Sequence, residues 1–381
     1  MQRRTLLSAT VQTAALACLA STRAAWADGI TESTVVLGQS APFSGPAEQL
    51  GIQYNLGAQM YFDQINAKGG VNGRRIELKR LDDGYEPTRC AANTKQLIED
   101  EVFALFGYVG TPTSLAALPL ATEAKVPFFA PFTGAQALRE PFNRYAIHIR
   151  ASYYEETAAM IKQLTAPGIK KIAVFHQNDA YGKAGLDGVV RALKALDMEP
   201  LVTATVERNS TDVSAAIGQI MPKRPEAIVQ IGAYKACAAF IREARKQGFS
   251  GNFYNVSFVG TQALADELKT DAKGVVISQV MPFPYSPVTA IAGEYLNAVK
   301  GSKTPHTPNY SGMEGFVAAK VFAEGLRRAG KTPSRESFIQ AIESMQAFDL
   351  GGFTVDLNSK KHVGSSMVEL TLLGPDGKVR R

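Results

Sequence analysis

Histidine, cysteine and tryptophan are scarce: the 381-residue chain has four, three and one. His148, His176, His306 and His362 form no HExxH pair and no Cys/His cluster, so the common zinc patterns are missing. There is no G-x-S-x-G elbow and no Walker-type phosphate loop, which removes the usual hydrolase and nucleotide-binding signatures. Asp82-Asp83 invites an acid-pair or metal reading, but neighbours on a strand point to opposite faces, so a solvated strand end is expected. The chain is therefore read as non-enzymatic, with no metal and no cofactor.

Like-charge blocks and low-complexity stretches are also missing, which argues against a disordered tail. Three positive charges, Arg3, Arg4 and Arg23, fall in the first 27 residues, which hold no Asp or Glu; without them the net charge of +6 becomes +3. So small and scattered an excess gives no footprint for nucleic acid. Hydrophobic residues make up 45% and charged residues 20%, enough for a real core in two domains of ordinary size.

After residue 27 no run of 18 apolar residues occurs, so no membrane-spanning helix is expected there. The start of the chain differs. Arg3-Arg4 precedes an apolar stretch from Leu6 to Ala20, and Ala25-Trp26-Ala27 stands before Asp28. A basic start, a short apolar region and an A-x-A site describe a cleavable export signal over residues 1–27. Ser8, Thr10, Gln12 and Thr13 interrupt the apolar run and disfavour a retained anchor. Arg3-Arg4-Thr5-Leu6-Leu7 resembles a twin-arginine signal, and paired arginines also occur in ordinary signals; both routes stay open. Cys18 fits a lipoprotein site poorly, and Cys90 and Cys237 are read as buried free thiols, one in each half of the molecule.

What is present is a repeating rhythm of short apolar strand, turn and amphipathic helix. Val35–Gly38, Ile76–Leu81, Val102–Phe106 and the stretch from Val126 read as strands, separated by helices over Leu56–Ala67, Asn93–Asp100 and Ser114–Ala124. The rhythm restarts after Arg150, with strands at Ile172–Phe175, Leu201–Val206, Ala227–Ile231 and Gly274–Val280 between helices. The remainder reads as three helices and then a β-rich tail. Two such runs predict an α/β protein of two doubly wound parallel-sheet lobes, with ligands beyond the carboxyl ends of the strands.

Several stretches then carry a resemblance: Pro42-Phe43-Ser44-Gly45-Pro46, Ile65 to Arg74, Asp82-Asp83, Ala130-Pro131-Phe132-Thr133-Gly134, Asp179-Ala180-Tyr181-Gly182 and Gly312-Met313-Glu314-Gly315-Phe316. In this order and spacing, from Val35 to the end, the chain resembles the type I periplasmic solute-binding proteins of the branched-chain amino acid (Leu/Ile/Val) family, which serve ATP-binding-cassette importers. The resemblance implies a three-strand hinge, with crossings near Ile149-Arg150, Gln279–Met281 and Gly351-Gly352. Lobe I would then be 28–149 plus 281–350, and lobe II 150–280 plus 351–381. It implies a monomer that hands a small ligand to a membrane permease; a sensor as partner is the other reading.

Two loops are candidate carboxylate grips. Gly110-Thr111-Pro112-Thr113-Ser114 and Pro131-Phe132-Thr133-Gly134-Ala135 each follow a strand and are expected to open a helix, whose first N–H groups and hydroxyls are donors. Plain N-capping is the other reading; the resemblance favours ligand contact for Gly110, Thr111, Thr113, Phe132, Thr133 and Gly134. It also places Tyr181 and Tyr234 of lobe II towards the ligand. Phe43, Leu50 and Phe132 are candidates for the apolar wall or for plain core. The family's acidic partner for the ligand's ammonium matches Ser257, which is no acid. Either Asp179 or Glu314 takes that role, or the ligand lacks an ammonium; the ligand is thus a branched-chain or other apolar amino acid, or an aromatic or other small non-amino carboxylate. Tyr85 and Val109 or Gly110 stand where the family's disulfide would be.

Overall fold

The structure is a computed structural model, and it describes residues 29–381. The export signal expected over residues 1–27 lies outside the described residues. In chain order the first elements are β1 (Thr34–Ala41), α1 (Glu48–Ala67), β2 (Arg75–Asp82), α2 (Pro87–Glu99), β3 (Ala104–Phe106), α3 (Thr111–Glu123), β4 (Phe128–Phe129) and β5 (Ala146–Ile147). Next come α4 (Tyr153–Thr165), β6 (Ile172–Gln177), α5 (Ala180–Lys194), β7 (Val202–Val206), α6 (Ser214–Ile220), β8 (Ala227–Ile231), α7 (Tyr234–Lys246), β9 (Asn252–Asn255), α8 (Thr261–Leu268) and β10 (Val275–Gln279). The chain closes with α9 (Ala290–Gly301), α10 (Tyr310–Arg328), α11 (Arg335–Glu343), β11 (Phe348–Asp349), β12 (Thr354–Val355), β13 (Glu369–Leu373) and β14 (Val379–Arg380).

The expected two lobes are present, each built on its own sheet. The first sheet runs β2-β1-β3-β4-β5, with every pair parallel. The second runs β14-β13-β10-β9-β8-β6-β7; it is parallel through β10, and the tail strands β13 and β14 join antiparallel. All five residues of β8 and of β10 are buried, as strands covered by helices on both faces must be. Cys90 on α2 and Cys237 on α7 are free and buried, one against each sheet.

The packing of α1 on α10 places a residue that matters later. A Cβ at Gly57 would lie 1.8 Å from the Gly312 carbonyl oxygen, and one at Gly315 would lie 2.0 Å from that of Tyr54. Glycine at these two positions lets the helix backbones touch. Asn309 caps α10, its Oδ1 accepting the Gly312 N–H at 2.7 Å. Glu314 is thereby fixed in the buried second turn of that helix.

Three expectations need correction. Helix α3 begins at Thr111, three residues earlier than read, because Pro112 sits at the helix start where its missing N–H costs nothing. The loop Pro131–Ala135 opens no α-helix: only a 3-10 turn over Gln136–Leu138 follows, and Pro141 stops any continuation. Asp83 is not solvated. It is fully buried, bonded to the Ser40 hydroxyl and the Tyr85 N–H, and desolvation pushes its carboxyl up to about 6. Only Asp82 is partly exposed. Despite some desolvation, bonds from Ser44, Phe43, Gly84 and Arg89 hold its carboxyl down at about 2.

Candidate functional site

Beyond the carboxyl ends of β3 and β4 lie the segments Tyr108–Gly110 and Ala130–Thr133; across from them, beyond β6, β8 and β9, lie Asp179, Gly232 and Ser257. The two sheets present these ends to each other, and the side chains between them form a seam of rings, hydroxyls and buried charges.

The rings come first. Phe258, in a 3-10 turn after β9, is the hub. Its centroid lies 4.6 Å from Tyr181, 5.4 Å from Phe132 and 6.0 Å from Tyr85, so one ring of the second lobe touches two of the first. Tyr153 adds a fifth ring, 5.5 Å from Tyr181. The Tyr85 ring lies against Gly110, whose φ of +100° suits glycine and where a Cβ would come 2.2 Å from the ring. Tyr85 also reaches the second lobe, its hydroxyl accepting from Gln177 Nε2 at 3.4 Å.

A run of hydroxyls crosses the same region. Thr111 and Thr133 are 2.6 Å apart through their Oγ1 atoms, and Thr133 donates to the Tyr153 hydroxyl at 3.3 Å. Thr133 has one proton, so Thr111 donates to it and the run points towards Tyr153, leaving the Tyr153 O–H as its terminal donor. Arg139 locks the loop in place. Its guanidinium donates to the carbonyls of Thr133, Ala135, Arg150 and Ala151, which ties the grip to the segment leading from β5 into α4.

The charges are buried. Arg150 is 0% exposed, Glu156 is 0% and Glu314 is 5%. Ser152 starts α4 with a capping box to Glu155, which sets the helix register and turns the next residue, Glu156, inward. The Glu156 carboxylate accepts from four donors: Arg150 Nη2 at 3.2 Å, the Ser257 N–H at 2.8 Å, and the hydroxyls of Ser257 and Ser278 at 3.1 and 2.5 Å. Arg150 Nη2 also donates to Ser257 Oγ. The guanidinium lies over Phe132, 5.0 Å from its centroid, a favourable cation–π distance. From the first lobe, Glu314 Oε2 approaches Arg150 Nη1 to 3.6 Å. Burial pushes the Glu314 carboxyl up to about 7, with Glu156 adding to the rise and Arg150 opposing it.

The sequence-predicted residues divide. Gly110, Thr111, Phe132, Thr133, Gly134, Tyr181 and Ser257 all lie in or against this seam. Thr113 is buried nearby, but its hydroxyl is spent on the Val109 and Gly110 carbonyls of its own helix turn. Leu50 packs across the lobes on Gly260. Tyr234 sits farther out, accepting from the Gln49 N–H at 3.4 Å beside Lys235 and Glu267. Phe43 is half-buried under Arg80 and has no ring contact with the cluster among the described residues. Asp179 is committed elsewhere: its carboxylate caps α5 through the Tyr181 and Gly182 N–H groups and takes Gln177 Nε2. The acid beside Ser257 is Glu156, which sequence reasoning missed together with Arg150, Tyr85, Tyr153 and Phe258. The signal for Arg150 and Glu156 was faint: two charges flanking a capping box. An open groove of about 810 Å³ lies elsewhere, between Gln262, Asp266, Tyr285 and Val379. It gathers no buried polar cluster comparable to the seam.

Two doubly wound lobes meeting over a polar, ring-walled seam define a two-lobed binding protein. A family model described as "Periplasmic binding protein" matches residues 34–377, and the chain belongs to that family. A structure titled as a possible leucine/isoleucine/valine-binding protein from Rhodopirellula baltica SH 1 superposes with a TM-score of 0.87 at 36% identity, over 92% of this chain and 96% of that one. A substrate-binding periplasmic protein from Ralstonia solanacearum superposes with a TM-score of 0.86 at 32% identity, over 91% and 99%. An amino acid binding protein of Pseudomonas aeruginosa is 27% identical over 242 residues, 63% of this chain and 64% of that protein. Among the described residues no helix is long and apolar enough to cross a membrane.

Proposed function

We propose that the chain is the exported substrate-binding component of an ATP-binding-cassette importer, and that its interlobe cleft takes an apolar α-amino acid, branched-chain amino acids first. One observation carries this reading. A buried guanidinium, Arg150, and a buried carboxylate, Glu314, face each other across a seam walled by Phe132, Phe258 and Tyr181. Opposite charges suit a zwitterionic end, and rings suit an apolar side chain. The names of the relatives support the same class. The lobes are taken as 28–149 plus 281–350 and 150–280 plus 351–381, with hinges near Ile149-Arg150, Gln279–Met281 and Gly351-Gly352. Residues 1–27 direct export to the periplasm and are cleaved. The chain acts as a monomer, performs no chemistry on its ligand, and delivers it to a membrane permease; finding a permease gene beside its own would favour this over a sensor partner, and finding a sensor-kinase gene there would reverse it.

The ring cluster itself favours a second reading, in which an aromatic or other small non-amino carboxylate stacks on Phe258 and Tyr181. A thermal-shift panel separates the two. Leucine, isoleucine and valine are expected to raise the melting temperature more than their keto acids or benzoate. The reverse order selects the second reading, and no shift from any of them defeats both.

A further inference from the structure

The lobes also meet outside the ring seam. In the first sheet β2 and β5 form opposite edges, and in the second β7 is the edge away from β10, β13 and β14. Strands β5 and β10 lead into the crossings proposed near Ile149-Arg150 and Gln279–Met281, so the ends of β2 and β7 lie at the mouth, away from the hinge. The turn after β2 carries Gly84, Tyr85 and Glu86, and the turn after β7 carries Arg208 and Asn209. Arg208 Nη2 donates to Glu86 Oε2 at 2.7 Å, and Asn209 Nδ2 donates to Glu86 Oε1 at 2.8 Å and to the Gly84 carbonyl at 3.1 Å. Arg208 Nη1 reaches Asp179 Oδ2 of its own lobe at 3.5 Å. Glu86 stands at the start of α2, yet its side chain caps nothing there; among the described residues its oxygens bond only to the other lobe. The Glu86 and Arg208 side chains keep 38% and 25% exposure, so neither is a core ion of its lobe. The backbone is strained on both sides of the contact, with φ of +65° at Tyr85 and +60° at Asn209. Tyrosine is uncommon in that region, and such strain collects where function requires it.

We infer that Glu86, Arg208 and Asn209 form a latch at the mouth that sets how long the closed lobes retain their ligand. This rests on closure around a ligand, as read above, and not on which ligand that is. Opening about the crossings moves the mouth farthest, so these bonds belong to the closed form alone. Contacts made in one state only shift the balance towards that state. The three are positioning residues. Arg208 acts through Asp179, whose carboxylate caps the helix that carries Tyr181, and Glu86 adjoins Tyr85, whose ring lies against Phe258. A ligand enters while the mouth is open, before the latch exists. The latch therefore slows dissociation and leaves association nearly alone. A partly exposed ion pair is a modest contact, so the effect on the dissociation rate is about two- to fivefold.

The test is stopped-flow kinetics on the wild type, Glu86→Ala, Arg208→Ala and the double variant, each checked for folding by circular dichroism. Leucine, its keto acid and benzoate are the probes. Each single variant should release every probe that binds about two- to fivefold faster, by the same factor for each, with association unchanged. The double variant should be no faster than the faster single, because both substitutions remove one shared contact. Added salt should speed release from the wild type and not from the double variant. Unchanged release overturns the latch, and so does a factor in the double variant equal to the product of the two singles. A change confined to one probe would make these residues ligand contacts, and a change in association alone would make them steering charges; either result overturns the latch while the binding reading stands. If no probe binds the wild type, that reading falls, and the latch is decided in the ligand-free protein. Glu86→Cys/Arg208→Cys should then be joined by a short bismaleimide, with the buried Cys90 and Cys237 out of its reach. Failure to join them shows that the mouth does not close there and overturns the latch.

Discussion

Glu314 makes folding stability depend on pH in a way that one substitution exposes. Burial raises its carboxyl from the ordinary 4.5 to about 7, with Arg150 pulling the other way and Glu156 reinforcing the rise. Between those values the unfolded chain has released a proton that the folded protein still holds. Stability from this group therefore falls as pH rises through that window, and the loss is complete above the folded value. A shift of this size corresponds to roughly 3 kcal/mol at most, at about 1.4 kcal/mol per unit. Glutamine has nearly the same shape and cannot ionise. Without ligand, Glu314→Gln should match the wild type near pH 4 and become more stable than it by up to roughly 3 kcal/mol near pH 8. Urea denaturation of both proteins from pH 4 to 8 reads the difference, and the other buried groups, Asp83 and His148 among them, cancel in it. A difference that stays flat across the range, or that turns against the variant at high pH, refutes the account of this charge cluster.

Other outcomes follow from the same structure. Thr133→Val should lower ligand affinity about ten- to hundredfold by calorimetry while leaving the fold in place, since it breaks the Thr111–Thr133–Tyr153 run at its centre; unchanged affinity would return Thr133 to a purely local role. Gly110→Ala should destabilise the protein by about 1–3 kcal/mol or more in urea, because φ is +100° and the Tyr85 ring occupies the Cβ position. A neutral result there would mean that the ring yields freely. N-terminal sequencing of the exported protein should begin at Asp28, and a mature chain that retains Arg3-Arg4 contradicts the cleavage site.

The alternation of strand and helix was legible in the sequence because fully buried parallel strands such as Ala227–Ile231 are apolar without interruption, and the helices between them are two-sided. The β-rich tail also read correctly, since it pairs with β10 as an added edge. The second grip loop misled. Hydroxyl and glycine after a strand look the same whether a helix or a single turn follows, and here Pro141 leaves room only for the turn. Thr133, Phe132 and Tyr181 were found through short motifs that sit at strand ends. Arg150 and Glu156 were harder to find, because each stands on an ordinary-looking segment; Glu314 stood in a motif and was named as a candidate acid, but not as a partner of Arg150. Their pairing exists only once α4, α10 and the turn at Ser257 have been brought together from far apart in the chain. Position 257 carries a serine, and an acid nevertheless lies against it. That carboxylate belongs to Glu156, while the Asp179 carboxylate caps its own helix.

The central claim is that two lobes close on a small carboxylate-bearing ligand held from both sides. Solution X-ray scattering, with and without a saturating amino acid from the panel, tests it most directly. The account predicts a smaller radius of gyration with ligand, because binding to both lobes favours the closed population. An unchanged radius with a ligand shown to be bound would contradict closure around the Arg150–Glu314 seam.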